Sequence, residues 1–108
     1  MPVVFFLNTL RAGVAAEDYE RWVRDVDYPT ARSLRTIRSY VVAKMDATLD
    51  GGRPPYDYIE RVEITDIDDY RNELNGPAME HFAKEWSSYV GESIAVVGRE
   101  ISSSEPGA

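Results

Sequence analysis

Glu60 has the clearest chemical potential of any residue in this sequence. It stands in a run from Tyr56 to Thr65 that is typical of a β-strand, and strand alternation places it on one face with Tyr58, Val62 and Ile64. A carboxyl group in apolar surroundings has a raised pKa, because burial disfavours its charged form, and such a group suits general acid–base catalysis. The alternative is a core glutamate bound to a tyrosine hydroxyl or to an arginine for structural reasons.

Three further polar residues lie where they would reach the same cleft between the sheet and its helices. Asn8 is the one amide in an otherwise apolar first strand, where it would orient a substrate carbonyl or an oxyanion, or satisfy a strand end. Asp27 and Tyr28 precede Pro29, and we predict that the first helix breaks there. A break would aim both side chains at the cleft, with Asp27 assisting Glu60, whereas a plain helix stop is the alternative.

Aromatic side chains around the expected cleft would form walls for a flat ligand, although the same spacing is typical of an ordinary core. The candidates for substrate contacts are Trp22, Tyr28, Tyr40, Tyr58, Phe82 and Trp86.

His81 is the only histidine, and we keep it as the third candidate for proton transfer after Glu60 and Asp27. Helix geometry places it away from the apolar stripe of its own helix, which favours an exposed position. Together with Glu85, four residues later, it would supply too few ligands for tight metal binding. We therefore predict no metal site.

Composition narrows the possible classes of function. The 108 residues include no cysteine and one histidine, and twelve basic against nineteen acidic side chains leave a net charge of −7. This excludes cysteine-based and multi-histidine metal sites, and it disfavours nucleic acid and anionic membranes as partners. No apolar run approaches the roughly 18 residues of a membrane span. We expect a cytoplasmic protein without a metal or an organic cofactor.

The length allows one domain, which we place at residues 1–101, followed by a flexible tail over 102–108. Hydrophobic periodicity predicts the order β-α-β-β-α-β. This order is typical of the ferredoxin-like α+β fold, a four-stranded antiparallel sheet with helices on one face. The predicted strands span 3–10, 37–45, 56–65 and 93–101, and the last helix runs from 77 to about 90.

The first strand is apolar on both of its faces. One face carries Val3, Phe5 and Leu7, and the other carries Val4, Phe6, Asn8 and Leu10, so the helices can cover only one of the two sets. An apolar sheet face without helices usually packs against a second subunit. We therefore expect a homodimer in which two sheets pack face to face.

Five short motifs carry a family resemblance: Tyr19-x-x-Trp22, Asp27-Tyr28-Pro29, Ile37-Arg38-Ser39-Tyr40, Pro55-Tyr56-Asp57-Tyr58-Ile59-Glu60 and Met79-x-x-Phe82. Together they resemble the REDY-like (HapK-type) family of the dimeric α/β-barrel superfamily, over nearly the whole chain. The resemblance implies a role in bacterial pigment and alkaloid pathways, including those of prodiginine tripyrroles and bis-indole compounds.

Two other branches of that superfamily differ from this sequence at important positions. Polyketide cyclases carry a histidine directly after a helix-opening Pro-Ala pair, whereas Met79 occupies that position here. Cofactor-free monooxygenases and haem-degrading relatives pair an asparagine on the first strand with a tryptophan on the third. Asn8 matches the asparagine, but the third strand has Tyr58 and Glu60 and no tryptophan.

The residues and the resemblance together suggest a cofactor-independent enzyme acting on a small aromatic substrate. It would steer the condensation, cyclisation or redirection of a reactive pyrrole- or indole-type imine or enamine. Glu60 would transfer the proton with the help of Asp27, while Asn8 and Tyr40 orient a polar group. Two alternatives stay open: a cofactor-free monooxygenase acting on an electron-rich aromatic, and a non-catalytic protein that binds an unstable intermediate.

Overall fold

The computed structural model describes residues 1–102, which build one antiparallel sheet of four strands. The strands are β1 (Pro2–Leu10), β2 (Ile37–Lys44), β3 (Tyr58–Ile64) and β4 (Val90–Arg99). Their order across the sheet is β2-β3-β1-β4, and every neighbouring pair is antiparallel. This confirms the predicted ferredoxin-like α+β arrangement.

The helices lie in the two crossovers, after β1 and after β3. The first crossover holds α1 (Ala16–Trp22), a π-helical turn (Val23–Asp27) and α2 (Tyr28–Ser33). The second holds α3 (Ile67–Leu74), a 3₁₀ turn (Pro77–Met79) and α4 (Glu80–Tyr89).

The predicted helix break at Asp27-Tyr28 is wrong, because the chain stays helical there. Tyr28 has helical dihedral angles (φ −61°, ψ −46°), and its N–H donates to the carbonyl of Val23, five residues earlier. In a regular helix the ring of Pro29 would clash with the carbonyl four residues back. The wider π turn accommodates the proline, and such turns occur often at functional sites.

Several element boundaries also differ from the prediction. The third strand begins at Tyr58 instead of Tyr56, although the N–H of Asp57 still donates to the carbonyl of Asn8 at 2.9 Å. The last strand spans Val90 to Arg99 rather than 93–101, because its pairing with β1 already starts at Leu10 opposite Val90.

One face of the sheet packs against the helices and holds two clusters of buried side chains. The cluster nearer α1 contains Tyr19, Trp22, Val23, Tyr58 and Val90. The cluster nearer α3 contains Val4, Val62, Ile64 and Tyr70. The α3 helix begins with an N-cap, in which the side chain of Asp66 accepts from the N–H of Asp69 at 3.0 Å.

The other face of the sheet has no helix over it within residues 1–102, and we call it the open face. Strand register places Phe5, Leu7, Ile94 and Val96 on this face. Ile94 and Val96 are 50% and 46% exposed. Such large apolar side chains in contact with water are the kind of surface that a protein partner covers.

The flexible tail predicted for 102–108 lies outside the described residues, apart from its first residue. The boundaries of the single domain stay a prediction. Within the described part of the chain, no helix combines the length and the hydropathy that a membrane span requires.

Candidate active site

A cavity of about 270 Å³ lies between the helices and the sheet, where the two buried clusters meet. Most of its lining is apolar or aromatic, as is usual for small-molecule sites. It is lined by Phe6, Asp27, Thr30, Ala31, Leu34, Ile37, Tyr40, Glu60, Tyr70, Leu74, Asn75, Met79, Phe82, Ala83 and Trp86.

Strand register brings the polar residues of the cavity together. Glu60 on β3 lies opposite Phe6 on β1 and Val42 on β2, with its side chain on the helix-covered face. Tyr40 lies two residues from Val42 on the same face of β2, so its long side chain reaches Glu60 diagonally. The alternation read from the sequence therefore predicted the direction of Glu60 correctly.

Asp27 approaches this pair from the opposite side, at the end of the π-helical turn. The turn keeps the helix continuous while changing the side-chain register, because each residue of a π turn is offset from its position in an α-helix. Asp27 is 2% exposed and Glu60 is 4% exposed, so two carboxyl groups from different elements are buried in one cavity.

The hydroxyl of Tyr40 links the two carboxyl groups. It lies 2.7 Å from Oδ2 of Asp27 and also contacts Oε1 of Glu60. A hydroxyl carries one proton, so it can donate to only one carboxylate at a time. The second contact becomes a hydrogen bond when the other carboxyl group is protonated and donates to the tyrosine oxygen. The geometry thus favours one proton shared between the two carboxyl groups, which we call the Asp27–Tyr40–Glu60 chain.

The pKa values of the cavity residues also favour a proton shared between the two carboxyl groups. Burial raises the pKa of Glu60, an effect that hydrogen bonds from Tyr40 and Asn8 oppose. Burial and the neighbouring Glu60 raise the pKa of Asp27 to about 7. Burial also raises the pKa of Tyr40, so its hydroxyl keeps its proton at neutral pH. A carboxyl group that titrates near neutrality can both accept and donate a proton.

Asn8 supports Glu60 instead of facing the cavity. It is fully buried, its side-chain N–H₂ donates to Oε2 of Glu60, and its carbonyl accepts from the hydroxyl of Ser93 at 2.6 Å. Both ends of the amide are therefore engaged within the protein. The structure assigns Asn8 a positioning role, where the sequence suggested contact with a substrate.

Three of the predicted wall residues lie behind the cavity lining. Trp22 donates from its indole nitrogen to Oε2 of Glu85 at 2.9 Å and packs on Phe82, with ring centres 5.3 Å apart. Tyr28 packs edge-on against Tyr40, with ring centres 5.6 Å apart. These side chains support lining residues instead of meeting a ligand themselves.

Tyr58 is the third predicted wall residue outside the cavity lining, and its side chain points away from the cavity. Its hydroxyl donates to Oε2 of Glu20 at 2.5 Å, and its ring packs against Tyr19, with centres 4.8 Å apart. Tyr40, Phe82 and Trp86 do line the cavity, as predicted.

His81 is absent from the lining of the cavity. Its side chain is 85% exposed, and Nε2 lies 3.0 Å from Oε1 of Glu85 on the same helix. Helix periodicity already favoured this exposed position, because an imidazole off the apolar stripe faces solvent. The geometry brings Glu60 and Asp27 together and leaves His81 outside.

Ten lining residues were not among the sequence candidates, namely Phe6, Thr30, Ala31, Leu34, Ile37, Tyr70, Leu74, Asn75, Met79 and Ala83. A signal existed for Tyr70, which shares a helical stripe with Leu74, but helical spacing alone does not separate a cavity wall from a core. In residues 1–102 no three His, Cys, Asp or Glu side chains are grouped so that they could hold a metal ion.

Known structures share this fold at low sequence identity. The chain matches HapK from Hahella chejuensis with a TM-score of 0.81 and 21% identity over all of both chains. It matches a dimeric ferredoxin-like protein of unknown function from Thermobifida fusca with a TM-score of 0.66 and 14% identity, over 90% of this chain and 88% of that one. A hydroxynitrile lyase from Passiflora edulis matches with a TM-score of 0.72 and 10% identity, over 90% of each chain.

These likenesses show the class of fold, which is ferredoxin-like. The profile of the family described as REDY-like protein HapK matches residues 2–101. The chain therefore belongs to the REDY-like HapK family, as its motifs indicated. A comparison with curated proteins found no match.

Proposed function

We propose that this chain is a cofactor-independent enzyme of bacterial secondary metabolism that acts in the cytoplasm on a small aromatic intermediate. It steers the condensation, cyclisation or redirection of a reactive pyrrole- or indole-type imine or enamine by general acid–base catalysis. Membership of the REDY-like HapK family supports the metabolic setting. The site itself supports the type of chemistry.

The observation that carries this proposal is the Asp27–Tyr40–Glu60 chain in a mostly apolar cavity. Glu60 exchanges a proton with the substrate, and Tyr40 passes the change in charge to Asp27. Because the pKa of Asp27 lies at about 7, its protonated and ionised forms are both present at neutral pH. One positioned acid or base typically accelerates a reaction by roughly 10²–10⁴-fold, which is enough to direct an intermediate that already reacts spontaneously.

The aromatic lining suits a flat substrate. Phe82 and Trp86 on α4 and Tyr40 on β2 border the carboxyl groups. Stacking between these rings would hold an aromatic system in one orientation and keep bulk water from the reacting atoms. Orientation decides which atom of a reactive intermediate meets the proton donor, and therefore which product forms.

Product analysis of Glu60→Gln in the reconstituted pathway tests the proposal. Glutamine keeps the shape of the side chain but cannot exchange the proton, so we expect turnover to fall by roughly 10²-fold or more with the melting temperature nearly unchanged. The matched control is Glu63→Gln, the same substitution on the open face of the same strand, which should retain activity.

Other outcomes would favour the alternatives. Unchanged turnover of Glu60→Gln would contradict acid–base catalysis by this residue. Identical products with and without the protein would favour a role in binding an unstable intermediate. Consumption of oxygen together with substrate would favour the monooxygenase alternative.

We also propose that two copies of the chain form a homodimer through their open faces. Exposed Ile94 and Val96 support this, because a paired sheet would remove them from water. The structural match described as a dimeric ferredoxin-like protein supports it as well. Light scattering at micromolar concentration should give the mass of a dimer, and a monomer would contradict the proposal.

A further inference from the structure

The charge in the cavity is of one sign. Among its fifteen lining residues, all within the described part of the chain, Asp27 and Glu60 are the only charged types, and both are acidic. No lysine, arginine or histidine lines the cavity. Buried carboxylates are normally paired with a cation, because an isolated buried charge is strongly destabilising. The hydroxyl and amide groups around this pair supply hydrogen bonds but no positive charge.

One oxygen of the pair has no hydrogen-bond partner within residues 1–102. Oδ2 of Asp27 and both oxygens of Glu60 have hydrogen-bond partners in Tyr40 and Asn8. Oδ1 of Asp27 has none among residues 1–102, although the residue is almost fully buried and lines the cavity. An N–H donor on a ligand would satisfy this oxygen, and a positively charged donor would also balance the acidic pair.

The walls of the cavity add to the attraction for a cation. Phe6, Tyr40, Tyr70, Phe82 and Trp86 present aromatic rings to the same space. The face of an aromatic ring attracts a positive charge, most strongly when the charge has been removed from water. A delocalised cation that is itself flat and aromatic gains from stacking and from charge in the same position.

We propose that the ligand of this cavity is a flat aromatic compound carrying a protonated nitrogen, an amine or an iminium, which binds at Oδ1 of Asp27, and that the cavity rejects anionic compounds of the same shape. This inference rests on the proposed function and names the charge of its substrate. An iminium bound here has its reactive carbon beside a carboxyl group, so that proton exchange with the neighbouring carbon or nitrogen becomes possible without a metal.

Binding of a cation changes the protonation of the pair. In the empty cavity one proton is shared along the Asp27–Tyr40–Glu60 chain. The positive charge of a bound cation takes the place of that proton's charge. The proton is therefore released to solvent, and the net charge of the cavity stays the same. The groups facing Asp27 are Tyr40, Glu60, Tyr19 and Tyr70, and the pKa of each of the three tyrosines is raised by burial, so they stay neutral. Since the pKa of Asp27 is raised to about 7, affinity for a cation should increase as the pH rises through neutrality.

Calorimetric titration with three indoles of similar shape tests the inference. Tryptamine carries a positive charge at neutral pH, 3-ethylindole is neutral and indole-3-propionate is negative. We expect tryptamine to bind at least about tenfold more tightly than 3-ethylindole and indole-3-propionate to bind most weakly. Titration in buffers of different ionisation enthalpy should show protons released with tryptamine and none with 3-ethylindole.

Asp27→Asn should abolish the preference for tryptamine while its affinity for 3-ethylindole is retained, which also shows that the variant is folded. The matched control is Asp25→Asn in the same π-helical turn, where the side chain is exposed and the preference should persist. Equal affinities for tryptamine and 3-ethylindole, a preference for the anion, or no binding of any of the three would overturn the inference. Equal loss of preference in the Asp25 and Asp27 variants would do the same.

The two proposals can fail separately. If Glu60→Gln loses turnover but the three indoles bind without regard to charge, acid–base catalysis stands and the cationic substrate is wrong. If the charge preference is found but Glu60→Gln is fully active, the cavity binds cations and the catalytic role of Glu60 is wrong.

Discussion

The two faces of this sheet differ in what they do with polar groups. The covered face buries two carboxyl groups and an amide among apolar side chains, and each of them is hydrogen-bonded to another polar side chain there. The open face carries exposed Ile94 and Val96, and its charged residues pair with each other, as Arg61 does with Glu63 on the same strand at 3.7 Å. Under the two proposals above, one sheet separates chemistry from assembly, since adjacent residues of a strand point to opposite faces.

That division has an energetic basis. Burying a carboxyl group is costly unless it is hydrogen-bonded or neutral, so a fold keeps such groups only where a network can be built around them. On the covered face, side chains from β1, from β2 and from the helices supply this network. The open face has none, and apolar side chains are what a second sheet can cover without such a network.

The largest effect should come from a charge on the open face. Phe5→Lys places an ammonium group opposite Arg61 on the neighbouring strand, inside the proposed dimer contact. An uncompensated charge at such a contact costs about 3–5 kcal/mol, so light scattering should show a monomer at micromolar concentration. Circular dichroism should still show a folded chain, because the covered face is untouched.

Leu49→Lys is the matched control, since Leu49 is fully exposed in the loop between β2 and β3. It should leave the mass of a dimer. A dimeric Phe5→Lys variant would place the interface elsewhere on the molecule.

The next effect concerns the covered face and depends on pH. An unfolded aspartate has a pKa of about 3.9, whereas the pKa of Asp27 is raised to about 7 in the folded chain. Between these values the folded protein holds a proton that the unfolded chain has released, so stability is highest at the acidic end and falls as the pH rises, by up to about 1.4 kcal/mol per pH unit. Above the folded pKa the curve should level off.

Urea unfolding of the wild type and Asp27→Asn at about pH 5 and about pH 8 measures this contribution. The wild type should lose about 2.6 kcal/mol more than the variant between the two conditions, while Asp25→Asn should follow the wild type. Parallel curves for the wild type and Asp27→Asn would show that Asp27 is ionised throughout this range.

The smallest effect should come from the helix that covers the cavity. Asp66→Ala removes the N-cap of α3, which carries Tyr70 and Leu74 into the cavity wall. The free energy of unfolding should fall by about 1 kcal/mol, with the dimer mass unchanged. Asp68→Ala, at an exposed position in the first turn of the same helix, should change it by less than about 0.5 kcal/mol. A change in mass on removing the cap would mean that the two faces are energetically coupled.

Much of the fold was predictable from local periodicity. Alternation over β3 placed Glu60 inward, and hydrophobic periodicity predicted the order of strands and helices. The helix break at Asp27-Tyr28 was wrong, because the rule for the residue before proline describes regular helices and makes no allowance for a π turn. Family motifs added the REDY-like HapK membership, which the family profile confirms.

The sequence by itself determined which residues of a strand share a face, since that follows from a period of two along the chain. It did not determine which of them meet. Asn8 and Glu60 lie fifty-two positions apart and Tyr40 and Glu60 twenty apart, and their contacts depend on how β1 and β2 align with β3. Likewise, Trp86 lines the cavity and Trp22 lies behind it, although both are aromatic residues at helical spacing. Register between strands and the rotation of a helix on its sheet are set by the packing of the whole domain, so only the tertiary structure could bring Asp27, Tyr40 and Glu60 into one chain.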